Sequence, residues 1–272
     1  MGSKTEKEGI NLVKSNPTYP KKFVISTEIY HERLTHFFDT NDDVSEAQVI
    51  MGMNALKLDA NQAMMEIFHE GTTENCNWPK GSICCGLAHF EALRACVELR
   101  EPITIFEDDA ILVPGFDEKS KQLIERIGTD WDIIQWGYNW DGFLDVRFQK
   151  TDKTVFRVTP IKEHKLNPEE FKASVTNSTL FPLVSSFGMH AYTVSPNGAK
   201  KILDFYPKFT DFFVDNMNLL GHRYWALSLD MVLNSFYNDN NCFVALPPLS
   251  YVVNDKQASA IWNPPNQENL PK

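Results

Sequence analysis

Apolar and polar positions alternate between two periods along this chain. Short apolar runs with strand chemistry recur at "KKFVIST" (Lys21–Thr27), "AQVIMGM" (Ala47–Met53), "ITIF" (Ile103–Phe106), "WDIIQWG" (Trp131–Gly137) and "CFVALPP" (Cys242–Pro248). Helical spacing fills the gaps. "DANQAMMEIFHE" (Asp59–Glu70) predicts a helix with Asp59 as its cap. "ICCGLAHFEALRACVELR" predicts a clearer one: Glu91, Arg94 and Glu98 share one face, and Cys85, His89, Leu93 and Cys96 share the other. "DEKSKQLIERIG" (Asp117–Gly128) ends on a glycine stop. "SSFGMHAYTVSPNGAKKILDFY" predicts a strand and then a helix with Ser195 as N-cap and Pro196 in its first turn. "SLDMVLNSFY" places Leu229, Val232, Leu233 and Phe236 at helical spacing.

Strands alternating with helices predict an α/β domain with a mostly parallel central sheet covered on both faces. The stretch 138–180 is polar and mixed, with one alternating piece, "TVFRV", and is read as a long excursion off the sheet of the kind that carries function. The expected organisation is a polar leader over 1–20, one catalytic-sized domain over 21–255 and a loose tail over 256–272.

Composition narrows the function classes. A net charge of −10 argues against a general nucleic-acid binder, which carries a basic face. The five cysteines are odd in number and form no CxxC pair, so a reducing compartment is expected. The N-terminus has no apolar signal core, and no stretch is long and apolar enough to cross a bilayer. The expectation is a soluble, cytoplasmic protein; a lipid acceptor would bring peripheral membrane contact, though no basic amphipathic helix supports it.

"ITIFEDDAILVPGF" (Ile103–Phe116) sets three adjacent acids, Glu107, Asp108 and Asp109, between two apolar runs. Adjacent carboxylates repel and are costly to bury unpaired. At the carboxyl end of a central strand, where ligands bind in open α/β sheets, they suit a hard divalent cation such as Mn²⁺ or Mg²⁺ that bridges a diphosphate. A solvated turn after an edge strand explains the triplet equally well on its own.

The surrounding block, "GSICCGLAHFEALRACVELREPITIFEDDAILVPGF" (Gly81–Phe116), resembles the signature of glycosyltransferase family 25, the lipooligosaccharide and collagen sugar transferases. "KFVIST…HERL", "WDIIQWG", "GMHAYTVSPNGAKKIL" and "SLDMVL…ALPPLSYVVNDKQASAI" resemble further family segments in the family's order, over residues 21–262. Cys84 stands where the family has Gly, Ala88 replaces the Ser of its Ser-His pair, and Ala260 replaces an Asp. The resemblance implies a GT-A fold and metal-dependent, inverting transfer of a hexose, galactose or glucose, from a UDP-sugar to a glycan or glycolipid. It implies Asp109 as the firmest metal ligand, Glu107 at the metal or ribose, and Asp108 at the metal or donor sugar. Gly81 and Ser82 would open the following helix toward the nucleotide, with plain capping as the alternative. His89 would line the site or be a satisfied core histidine. His190 and Tyr192 lie on a strand the family places near the donor. Trp136 would stack on a sugar beside Gly137, or pack in the core.

Inverting transfer needs a base for the acceptor hydroxyl. Asp230 is the first candidate, with Asp215 as the alternative and Asp211 third; an acid in a first helical turn also simply suits the helix dipole. Two other readings compete. A nucleotidyltransferase would also join acids to phosphate, but carries a Gly-rich basic loop that Lys21–Asp43 lacks. A degenerate glycan-binding relative would have lost the triplet, which is intact.

Overall fold

The computed structural model describes residues 19–55, 78–139, 142–159, 167–175, 177–206 and 211–253. The leader through 18, the helix expected over 59–70 and the tail from 254 lie outside the described residues.

The described residues form thirteen strands: β1 (Lys21–Thr27), β2 (Gln48–Gly52), β3 (Ile103–Glu107), β4 (Ile111–Leu112), β5 (Ile133–Gln135), β6 (Leu144–Val146), β7 (Phe156–Val158), β8 (Thr179–Ser185), β9 (Ala191–Val194), β10 (Phe212–Asn216), β11 (His222–Ala226), β12 (Cys242–Leu246) and β13 (Ser250–Tyr251). The described α-helices are α1 (His31–Thr40), α2 (Lys80–Leu99), α3 (Phe116–Ile127), α4 (Pro168–Ser174), α5 (Pro196–Phe205), α6 (Met217–Leu220) and α7 (Leu229–Leu233). Nine strands form one sheet in the order β2-β1-β3-β9-β5-β12-β8-β6-β7. The pairings run β2, β1, β3, β5, β12 and β6 in one direction and β9, β8 and β7 in the other, so the sheet is mostly parallel with reversed strands inserted. This is a single GT-A-like α/β domain.

Side-chain parity explains the two cores. Phe23, Ile25, Ile103, Ile105, Ile133, Tyr192 and Val244 point to one face, where α2 and α5 bring Leu87, Phe90, Leu93 and Ile202. Val24, Phe106, Ile134, Ala191 and Ala245 point to the other, against Leu34 and Phe37 of α1 and Phe116 and Leu123 of α3. Central strands buried on both faces therefore read as continuous apolar runs, which is why "ITIF" and "DIIQ" show no polar alternation.

The segment 138–180 departs from the expectation of an excursion off the sheet. Its "FRV" becomes β7 and pairs with β6, which pairs with β8, so the segment extends the sheet edge. Its helix α4 then crosses to the other end of the fold. Lys172 Nζ donates to the Thr40 carbonyl at 2.7 Å, and Phe171 stacks on Tyr251 with ring centroids 5.2 Å apart.

The "SPNGAKKIL" motif is structural. Ser195 caps α5 by accepting from Gly198 N at 3.0 Å. A Cβ on Gly198 would lie 2.0 Å from the Asp132 carbonyl oxygen, so only glycine lets α5 approach β5 this closely. Lys201 then pairs with the buried Asp132 carboxylate at 2.7 Å. Among the described residues no helix is long and apolar enough to cross a membrane.

Candidate active site

Strand parity also sets the aim of the first acid. Glu107 continues the series Ile103, Ile105 and so turns toward α2. There His89 meets it, with Nε2 3.3 Å from Glu107 Oε1, while His89 Nδ1 lies 3.0 Å from the Tyr192 hydroxyl. His89 is thus a buried, doubly partnered histidine against the first acid. Burial alone would raise the Glu107 carboxyl; the His89 hydrogen bond and charge and the nearby His190 and Arg33 outweigh it and hold it below its ordinary value.

The chain leaves β3 at the next residue, and the second and third acids turn toward α1. Asp108 N donates to the Ile25 carbonyl at 3.1 Å, which ties the turn to the end of β1. Ser26 Oγ donates to Asp108 Oδ2 at 2.6 Å. Arg33 Nη2 sits 2.5 Å from Asp108 Oδ1 and 2.8 Å from Asp109 Oδ2, bridging two carboxylates with one guanidinium. The Tyr30 ring lies under that guanidinium at 5.0 Å, a cation–π contact. Behind the turn, Asn41 fixes the chain from two sides: its Nδ2 donates to the Ala110 carbonyl at 3.0 Å, and its Oδ1 accepts from Leu112 N at 2.8 Å.

Burial pushes the Asp108 carboxyl from 3.8 up to about 6, with Arg33 and Ser26 opposing and Asp109 and Glu107 assisting. Burial likewise raises Asp109, opposed by Arg33. The native state therefore holds the Asp108 proton more tightly than the unfolded chain does. Its cost to stability is full above about pH 6 and disappears as pH falls toward 4. Asp108→Asn is expected to flatten the pH dependence of the urea unfolding free energy between about pH 4 and 6; an unchanged slope would show that Asp108 does not carry it.

The acids line a cleft of about 460 Å³. Its walls are the carboxyl ends of β1, β2 and β3 (Ser26, Thr27, Gly52, Glu107), Tyr30, Arg33 and His36 at and along α1, and Gly81, Cys84 and Cys85 in the first turns of α2. Pro168 of α4 and Val252 complete the rim, so the 138–180 segment reaches the cleft. One acceptor atom in it has no partner: Asp109 Oδ1 is buried without a hydrogen bond among the described residues. Such an orphan is costly; Glu107 lines the same cleft and its charge acts on Asp109, and carboxylate oxygens of this kind suit a hard divalent cation. Asp109 and Glu107 are the residues that would hold it.

The other sequence candidates fall in distinct places. Gly81 lines the cleft. The structure starts α2 at Lys80 with Pro79 as N-cap, so Gly81 and Ser82 lie inside its first turn, and Ser82 is a buried residue with no capping role. Tyr192 is fully buried behind His89. His190 is buried beside the Ser250 carbonyl, which stands outside hydrogen-bond geometry, so both ring nitrogens lack hydrogen bonds among the described residues. Burial lowers its pKa against the pull of Glu107 and Asp109. Gly137 is the floor under it: a Cβ there would meet His190 Nε2 at 2.2 Å. Trp136 is a core residue, fully buried, edge-on to Phe116 and donating from Nε1 to Thr193 Oγ1 at 2.8 Å, so no ring face is open to a sugar.

Asp230 lies in the first turn of α7, where Oδ2 accepts from Gly188 N at 2.8 Å and Oδ1 accepts from the Ser228 hydroxyl. It is not one of the residues that line the cleft; its charge reaches the site at Cys85, where burial first and then the charges of Glu107, Asp230, Asp109 and Asp108 push the thiol well above its ordinary pKa. Asp215 is exposed on the β10–β11 hairpin, where Oδ1 caps Met217 N at 3.1 Å. Arg33, Ser26 and Cys85 were not among the sequence candidates. The "HERL" segment after β1 carried a signal for Arg33.

No curated protein matches the chain. A family model does, the one described as glycosyltransferase family 25 (LPS biosynthesis protein), over residues 19–218. That span takes in every wall of the cleft except Val252 and Val253. With most of its length matched and its acid triplet set at the carboxyl edge of a GT-A-like sheet, the chain belongs to glycosyltransferase family 25 and is a glycosyltransferase.

Proposed function

We propose that this glycosyltransferase moves a hexose, galactose or glucose, from a UDP-sugar to a glycan or lipooligosaccharide-type glycolipid, with inversion and with Mn²⁺ or Mg²⁺ held by Asp109 and Glu107. The observation that carries this reading is the orphaned Asp109 Oδ1 in the cleft at the end of β3. Held there, such a cation would offset the negative charge of the leaving diphosphate.

The chain's own residues do the rest. Gly81, in the first turn of α2, offers backbone to ribose or phosphate oxygens. Asp108, fixed by Ser26 and Arg33, presents the donor side. His89 and Tyr192 hold Glu107 in place from behind. Asp230 takes the proton of the acceptor hydroxyl as its oxygen attacks the anomeric carbon; the bond from that carbon to the phosphate oxygen breaks, and UDP leaves with the electron pair. Both Asp230 oxygens already accept one hydrogen bond each, which orients the carboxylate and leaves lone pairs free. The 138–180 segment, which reaches the cleft at Pro168, faces the acceptor.

Calorimetric titration with UDP, with and without Mn²⁺, tests the donor side. Metal-dependent UDP binding is expected, followed by slow hydrolysis of one UDP-hexose from a panel. Sugar binding without nucleotide binding would replace the transferase reading with a glycan-binding one, and release of pyrophosphate from a nucleoside triphosphate would favour nucleotidyl transfer.

A further inference from the structure

Cys85 and His89 stand one helical turn apart on the face of α2 that meets the end of β3. A ligand atom from each, together with a carboxylate oxygen of Glu107, all lie within 4.8 Å of one another. The donor types differ in kind from those around Asp109: one thiol sulfur, one imidazole nitrogen, one oxygen. The ring is already oriented, because His89 Nδ1 is engaged by the buried Tyr192 hydroxyl at 3.0 Å and Nε2 faces Glu107. An outer partner of this kind is what fixes a metal-binding imidazole.

We propose that Cys85, His89 and Glu107 form a second cation site, selective for a thiophilic divalent ion of the Zn²⁺ or Cd²⁺ class, which shares Glu107 with the oxygen site at Asp109. Zinc bonds of 2.0–2.3 Å in a tetrahedron set neighbouring ligand atoms roughly 3.3–3.7 Å apart. The imidazole and carboxylate are at that separation now, at 3.3 Å. The sulfur lies within 4.8 Å of both, so it has at most about 1 Å to close, which a small rotation of one side chain supplies. Cys85 lines the cleft, so the fourth position opens to water or ligand, the pattern of an open three-ligand zinc site. As the sulfur–metal bond forms, the thiol proton passes to water. Mg²⁺ and Mn²⁺ prefer oxygen donors, so the two sites sort the ions by softness. With Glu107 engaged by the soft ion, the oxygen site loses a ligand and transfer slows. This last consequence rests on the proposed transferase reading; the binding does not.

The test uses the full chain, stripped of metal and titrated with Cd²⁺ while the ultraviolet thiolate-to-cadmium absorption is followed. One equivalent is expected to develop the band, excess Mg²⁺ to leave it, and Zn²⁺ to displace it. Cys85→Ser is expected to abolish the band and weaken Zn²⁺ binding by on the order of a hundredfold or more, beyond what outer partners cost, while Cys84→Ser keeps both. His89→Gln, which retains the thiol, is expected to weaken Zn²⁺ binding and serves if Cys85→Ser does not fold. No band in the unaltered chain, or a band that survives Cys85→Ser, overturns the site. Zn²⁺ that binds at Cys85 without slowing UDP-sugar turnover leaves the site standing and removes Glu107 from the transfer machinery.

Discussion

Asp109→Asn is expected to lower UDP-sugar turnover by about a thousandfold, ~4 kcal/mol of transition-state stabilisation. The substitution keeps the side chain's shape and leaves one oxygen to face Arg33, so packing is preserved. It removes the charge on the one buried carboxylate oxygen in the cleft that nothing in the described structure satisfies. A loss confined to the metal and the leaving diphosphate should appear in kcat and in the Mn²⁺ dependence of UDP binding, with little change in metal-free nucleotide affinity. Stability should move the other way. Burial already pushes the Asp109 carboxyl up, so a neutral amide relieves a cost that the native state carries. Lower activity with equal or higher Tm is the signature of a group kept for function. Activity within about tenfold of the parent, with an unchanged metal requirement, would remove Asp109 from the site.

Arg33→Met is expected to have the larger effect on the fold. One guanidinium nitrogen serves two carboxylates, at 2.5 and 2.8 Å, and Asp108 is only 6% exposed. Removing one member of a buried pair costs about 3–5 kcal/mol. Arg33 at 28% and Asp109 at 38% exposure are partly screened, so about 2–4 kcal/mol is expected. For a domain of this size that is a fall in Tm on the order of 5–10 °C. Methionine retains the apolar stem, which separates lost charge from lost packing. Both aspartates should also become harder to ionise, since Arg33 is what lowers them against burial. Mn²⁺ should therefore restore more stability to the variant than it adds to the parent, because a divalent ion can take over the neutralising role. A Tm within about 1 °C of the parent would show that the bridge contributes little, as many exposed pairs do.

The sequence marked the acid-bearing strand and its neighbours better than the segment 138–180, and the reason is the range of the interactions involved. Apolar runs, caps and the glycine stop are local, and "ITIF", "SPNGAKKIL" and "DEKSKQLIERIG" became β3, α5 and α3. The amphipathic reading of α2 placed His89 on its buried face with Cys85, Leu93 and Cys96, and there it lies. What failed needed partners from far along the chain. Trp136 ends a strand in the sequence, yet Phe116 and Thr193 close around it. The segment after it reads as irregular because β6 and β7 are three residues each and gain order by pairing with each other and, through β6, onto β8.

By itself, the sequence determined the α/β pattern, the strand that ends in Glu107-Asp108-Asp109, and the family likeness around it. Tertiary structure decided how each acid is used. Strand parity sends Glu107 to His89, the turn sends Asp108 and Asp109 to Arg33, and both pairings join residues that are distant in the chain. Repulsion between adjacent carboxylates is written in the sequence. Which cations relieve it, and which oxygen is left unsatisfied, depends on distances of a few ångströms that only the packing of α1 and α2 against β3 sets.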